Sequence, residues 1–200
     1  MTKNALKLLL PIQAKNTCWF LGIYALVMAI LFILFSFIIN DDASWISSTM
    51  MFAPKIYLLV MGIIYPLTAT RFFVAQGLTR KQFFWACTGS ISIVSLFLLI
   101  PVLASSIFHD SILLPSAMTH YLEMPLLFLI GWTAVVGFQF GKGYTAIPGI
   151  LGAIGMFQTI STVPEMLALS DLATLGIVIL LLIVLLLILP RIISQVPIKA

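Results

Sequence analysis

Charge is what this sequence has least of: of 200 residues, 10 are Lys or Arg and 6 are Asp or Glu. Soluble domains run near ~25% charged and ~45–50% apolar. Here 62% of the chain is hydrophobic and 8% charged, with a mean hydropathy of +1.20. No compact water-soluble fold can cover that much apolar surface with so few charges, so the solvent must be lipid. Cysteine is equally scarce. Cys18 and Cys87 are the only two, which excludes a disulfide-stapled scaffold, and no His or carboxylate accompanies them to complete a metal site. Catalytic patterns are missing too. There is no His-Glu-x-x-His, no paired glutamate motif and no Gly-x-Ser-x-Gly, so no catalytic residue is expected. The stretch 137–143 resembles a phosphate loop only superficially, with three residues between Gly137 and Gly141 and Gly143 where Ser or Thr is needed. No nucleotide, metal or other cofactor site is expected in the chain. The basic residues are scattered among apolar runs, which excludes a nucleic-acid patch.

What is there is a series of long apolar runs. A bilayer is crossed by ~20 apolar residues in a helix. That ruler predicts an all-α integral membrane protein, one transmembrane domain over 1–200, with six spans near 18–39, 56–74, 84–108, 122–140, 144–160 and 173–193. Lys3, Lys7, Lys15, Arg71, Arg80, Lys81, Lys142, Arg191 and Lys199 then all fall on one side. Lys55 and every acidic residue fall on the other: Asp41, Asp42, Asp110, Glu123, Glu165 and Asp171. Basic residues are retained in the cytoplasm, which puts both termini inside. The start of the chain does not read as a signal peptide, because the run Leu8-Leu9-Leu10 is stopped by Pro11, Gln13, Lys15 and Asn16.

No span carries a charge at mid-depth, which argues against an ion pump or a charged channel filter. Arg71 lies near a span end and can reach the headgroups. His109, Asp110, His120 and Glu123 fall in one external stretch broken by Pro115; they read as a solvated loop, with Glu123 at the mouth of the fourth span. Segment 161–172 is too polar to be buried and reads either as a short surface helix or as a re-entrant turn. The aliphatic run 180–189 offers nothing polar to a channel and is expected to face lipid. Small residues mark expected helix contacts: Gly137 with Gly141, the set Gly149, Gly152 and Gly155, and Ala25 with Ala29. Trp132 and Tyr65 fall inside spans and are expected to pack against neighbouring helices.

The most informative segment is cytoplasmic, 71–85. Gly77 is placed to end one helix and Thr79 to cap the next; Arg80 and Lys81 face the cytoplasm, and Phe83, Phe84 and Trp85 are expected to anchor at the interface. These residues fit an ordinary positive-inside loop, or a docking element that a cytoplasmic partner can push.

The run Gly77-Leu78-Thr79-Arg80-Lys81-Gln82-Phe83-Phe84 resembles the segment before the third span in small bacterial ABC transporter permeases of the six-span exporter class. The resemblance implies a coupling segment at 75–84, with Gly77, Thr79, Arg80, Lys81, Phe83 and Phe84 docking a separate ATP-binding subunit. That subunit would be present in two copies and would bring ATP and Mg. Residues 6–16 are similar to the amphipathic helix that precedes the first span in that family, which implies an interfacial segment at 1–17. Segment 161–172 matches that family's small external helical turn in position. The resemblance further implies a second permease, identical or related, a bacterial cytoplasmic membrane, and export of amphipathic peptides or lipid-like molecules, or immunity to them. Two alternatives stand beside it. Ala25-x-x-x-Ala29 is faintly similar to the docking motif of substrate-binding membrane subunits of vitamin importers. An ATP-independent membrane scaffold or immunity protein would need no ATPase partner.

Overall fold

Backbone amides in hydrocarbon find no water, so every N–H and C=O must be bonded within the chain, and the helix does this locally. That requirement overrides the modest helix propensity of the many Ile, Val and Phe residues. The computed structural model describes residues 2–38, 44–108, 114–140 and 143–195, and they form seven helices with no strand among them. In order these are α1 (Thr2–Ile38), α2 (Ser44–Ala75), α3 (Arg80–Phe108), α4 (Leu114–Gln139), α5 (Gly143–Ser161), the single-turn α6 (Val163–Met166) and α7 (Asp171–Gln195). Six prolines lie inside five of them without ending the helix: Pro11 in α1, Pro54 and Pro66 in α2, Pro125 in α4, Pro148 in α5 and, close to its end, Pro190 in α7. Among the described residues, four stretches are long and apolar enough to cross a membrane: Phe52–Ala75, Arg80–Leu99, Met118–Gln139 and Asp171–Gln195.

α4 is the hub. It packs against α2, α3, α5 and α7, and every residue from Glu123 to Trp132 is buried. α1 packs on α3 at one side. The burial pattern is the reverse of a soluble protein's. α7, whose 180–189 run is entirely Leu, Ile and Val, has 17% of its most apolar stretch buried, against 72% for the less apolar α4. In water such an arrangement would leave the most apolar helix outside, so this inversion marks lipid as the medium.

Two devices hold the helices together where the hydrophobic effect between them is weak. One is close backbone approach. A Cβ built on Gly62 of α2 would run into the Phe128 carbonyl of α4, and one on Gly131 of α4 would run into the Leu59 carbonyl of α2. The same happens between α4 and α5, where a Cβ on Gly137 would strike the Thr145 carbonyl and one on Gly149 would stand 2.7 Å from the Thr133 carbonyl oxygen. The other device is hydrogen bonding between helices. Tyr121 donates to the Ser92 carbonyl (3.1 Å), Gln139 Nε2 to the Pro66 carbonyl (2.9 Å) and Thr145 to the Gly137 carbonyl (2.7 Å). Thr17 and Tyr57 share a bond of 3.1 Å between α1 and α2.

Residues 2–17, within the segment expected at the interface, are helical and belong to α1, which runs without a break from Thr2 to Ile38. Leu9, Gln13 and Thr17, four residues apart, are buried as one stripe. Gln13 Oε1 accepts the hydroxyl of Ser90 on α3. A buried amide with a partner in the bundle fixes this part of α1 to α3.

Candidate functional site

Two places on the molecule combine geometry with chemistry. The first is a cavity of about 740 Å³ at the end of the bundle where α2 and α4 begin and α5 ends. That is the size range of sites for small organic ligands, ~300–1,000 Å³. Its floor is built on α2 and α4. Lys55 reaches from the first turns of α2 to Oε2 of Glu123, and His120 Nδ1, one turn earlier on α4, lies 3.5 Å from the same oxygen. The Glu123 side chain is 9% exposed and that of Lys55 20%. An isolated carboxylate at this depth would be costly, and the pairing removes most of the cost. Phe52, Ile56, Phe157 and Ile160 supply apolar walls, and Thr119 and Ser161 supply hydroxyls.

The far lip comes from the α5–α7 connection. α5 ends at Ser161 and α6 makes one turn; Ala168 then adopts a left-handed conformation (φ 46°), with Leu169 N–H bonded to the Pro164 carbonyl at 3.0 Å. This reverses the chain and sets Leu169 and Asp171 on the cavity. Ser170 caps α7, its Oγ accepting from Ala173 N–H at 3.4 Å, and Asp171 sits in the first turn, where the helix dipole favours a negative charge. The segment 161–172 is therefore a short helix with flanking turns.

Glu123 stands at the start of the fourth expected span, as the sequence suggests, but it is not solvated. It lies inside α4, is buried and is paired. The physical reason is Lys55, which neutralises it from the neighbouring helix. His120 is likewise on α4, while His109 and Asp110 lie outside the described residues.

The second place is the α2–α3 turn at the other end of the bundle. Gly77, with φ +87°, takes the left-handed position that closes a helix. Gly77 N–H bonds the Val74 carbonyl (3.0 Å) and Leu78 N–H bonds the Phe73 carbonyl (3.2 Å). Thr79 then opens α3 with a reciprocal capping box: Gln82 N–H donates to Thr79 Oγ1 (3.2 Å) and Thr79 N–H to Gln82 Oε1 (3.1 Å). Gly77, Thr79 and Lys81 are exposed and Arg80 is half-buried.

Phe83 and Phe84 do not belong with them. Both are fully buried. Phe83 stacks on Phe73 with centroids 5.4 Å apart, and Phe84 meets Trp132 edge-on at 5.1 Å. They were expected at the membrane interface and in the docking surface; their rings are instead core, because the bundle closes over the start of α3. Trp85 alone of the three aromatics is exposed.

The small residues also divide. Gly137 and Gly149 stand at backbone contacts, whereas a Cβ on Gly152 or Gly155 would meet nothing within 4 Å, and Ala25 and Ala29 are exposed. Gly141 lies outside the described residues. Sequence reasoning missed Gly62 and Gly131, whose signal was a lone glycine in the middle of an apolar run. It also missed the cavity. The signal there was Lys55, the only cation on the acidic side, and Glu123, a carboxylate followed at once by an unbroken apolar run. No family model, curated protein or solved structure matches the chain.

Proposed function

We propose that the chain is the membrane subunit of an ATP-driven exporter of the six-span bacterial type, with both termini in the cytoplasm and its ATPase a separate protein bound in two copies. The observation that carries this reading is the Gly77–Thr79 turn. It presents Gly77, Thr79 and Lys81 outward, is closed on both sides by backbone hydrogen bonds, and leads directly into the buried rings of Phe83 and Phe84. A partner pressing on a turn this well tied would move the start of α3 as a unit, and with it the packing around Trp132 on the hub helix. Six spans enclose little space alone, so a second permease, identical or related, completes the route. ATP and Mg belong to the partner. The apolar, aromatic interior favours amphipathic or lipid-like cargo, moved outward or kept away from the cell.

The test is purification of the tagged chain from its native membrane under conditions that keep complexes intact, followed by mass spectrometry and an ATPase assay. Recovery of a cytoplasmic nucleotide-binding protein whose hydrolysis is stimulated by the chain supports the reading. Lys81→Glu, alone and with Arg80→Glu, should leave insertion intact and abolish that stimulation. A chain that elutes alone, without ATPase activity, removes the proposal.

The cavity favours a second reading, a substrate-binding membrane subunit of an importer. Such a protein needs polar groups converging on a pocket at the outer end, and Lys55, His120, Glu123 and Asp171 do converge. Uptake rather than export in cells that carry the complex would select it.

A further inference from the structure

The cavity at the α2/α4 end holds more charge than its own pairing neutralises. Lys55 is taken by Glu123, and Asp171 has no ion pair among the described residues. Counting histidine as neutral, the lining carries two carboxylates against one ammonium, an excess of one negative charge. That charge stands at the lip of an otherwise largely apolar chamber, faced by Phe52, Phe157 and Leu169.

We propose that this cavity binds a monocationic amphiphile: an ammonium-like or other organic cation at Asp171, with an aromatic or branched apolar body against Phe52, Phe157 and Leu169. A cation supplies the charge partner that Asp171 lacks among the described residues, while Glu123 is already neutralised by Lys55. An anion would meet Lys55 already engaged and would face Asp171 at the entrance. The volume of about 740 Å³ suits one molecule of drug-like size. The walls come from α2, α4, α5 and the α5–α7 connection, so a bound ligand touches elements far apart in the chain. The site rests on this cavity and not on ATP coupling, and it would serve an exporter and an importer alike.

The experiment measures equilibrium binding of tetraphenylphosphonium to the full chain in lipid nanodiscs without nucleotide, with empty nanodiscs as baseline. Tetraphenylborate, of the same shape and opposite charge, is the comparison probe. Saturable phosphonium binding above the baseline is expected. Asp171→Asn should weaken it at least about fivefold, the scale of one lost Coulombic attraction in a partly desolvated site, since the phosphonium has no hydrogen to donate. Phe157→Ala, which removes a wall and no charge, should weaken it as well. Ile154→Ala, exposed on α5 outside the lining, should leave it unchanged. Thermal unfolding of each variant separates lost binding from lost fold. No saturable excess over empty nanodiscs, binding indifferent to both lining substitutions, or tighter saturable binding of the borate would each overturn the proposal. None of these outcomes bears on the pull-down, since no ATPase takes part.

Discussion

Lys55 and Glu123 tie α2 to α4 at the wall of the cavity, one charge from each helix, with the carboxylate nearly sealed from solvent. Removing one partner from a fully buried pair costs ~3–5 kcal/mol, and a lysine still in part exposed lowers that figure. Glu123→Ala should therefore destabilise the detergent-solubilised protein by about 2 kcal/mol. The double variant Lys55→Met, Glu123→Leu should recover most of the loss, because no unpaired charge remains. Equal destabilisation of the single and double variants in thermal unfolding would show that the pair contributes no coupling.

The α2–α4 crossing should be the least tolerant place in the bundle. Gly62→Ala puts a methyl group into the Phe128 backbone, which cannot yield as a side chain does, and should cost ~1–3 kcal/mol or prevent folding. Gly152→Ala meets open space in mid-helix and should stabilise α5 by about 0.5 kcal/mol or more. Comparing the yield and melting temperature of these two variants checks both expectations at once.

The two left-handed residues should respond in opposite directions. Gly77→Ala forces a side chain onto φ +87° and should cost ~1–2 kcal/mol. Ala168 already bears that strain at φ 46°, so Ala168→Gly should be neutral or stabilising by up to about 1 kcal/mol. Thr79→Ala, which removes half of the capping box, should cost ~1 kcal/mol. Thermal unfolding in one detergent ranks all three.

Cys18 is exposed and Cys87 fully buried, and both are free thiols. A small thiol reagent should modify Cys18 alone in the folded protein and both after denaturation. Labelling of both in the native state, read by intact mass, would contradict the packing of α3.

The legible parts of the fold were those written in neighbouring residues. The helix stop at Gly77 and the start at Thr79 depend on contacts within a few positions, so the run Gly77–Gln82 announces them. The burial of Phe83 and Phe84 does not follow from the same run, because aromatics at the edge of an apolar stretch suit the interface and the core equally well. What decides is Trp132, brought from α4 by tertiary packing. The Lys55–Glu123 pair was hidden for the same reason, since its members lie on different helices and each alone resembles a surface charge. Small residues misled in both directions. Gly62 and Gly131 have no other glycine within four residues, yet they form the tightest crossing; Gly152, with a glycine three residues to either side, and Ala25, with Ala29 four residues on, face outward.

α7 shows how little of a helix's identity a bilayer needs. Its buried aliphatic positions, Val178, Leu185, Leu189 and Ile193, recur at intervals of seven and four residues and so form one stripe along the helix. Ile179, Leu180, Ile183, Val184, Leu187 and Ile188 point away from the protein. Lipid tails do not distinguish leucine from isoleucine or valine at those places, so they hold no information beyond being oily. The outward face should drift freely among aliphatic residues over evolutionary time, and a library scrambled there should stay functional. The specification of α7 is thus carried by that stripe and by the Ser170–Asp171 cap, which together record where it starts and which side it turns to α4.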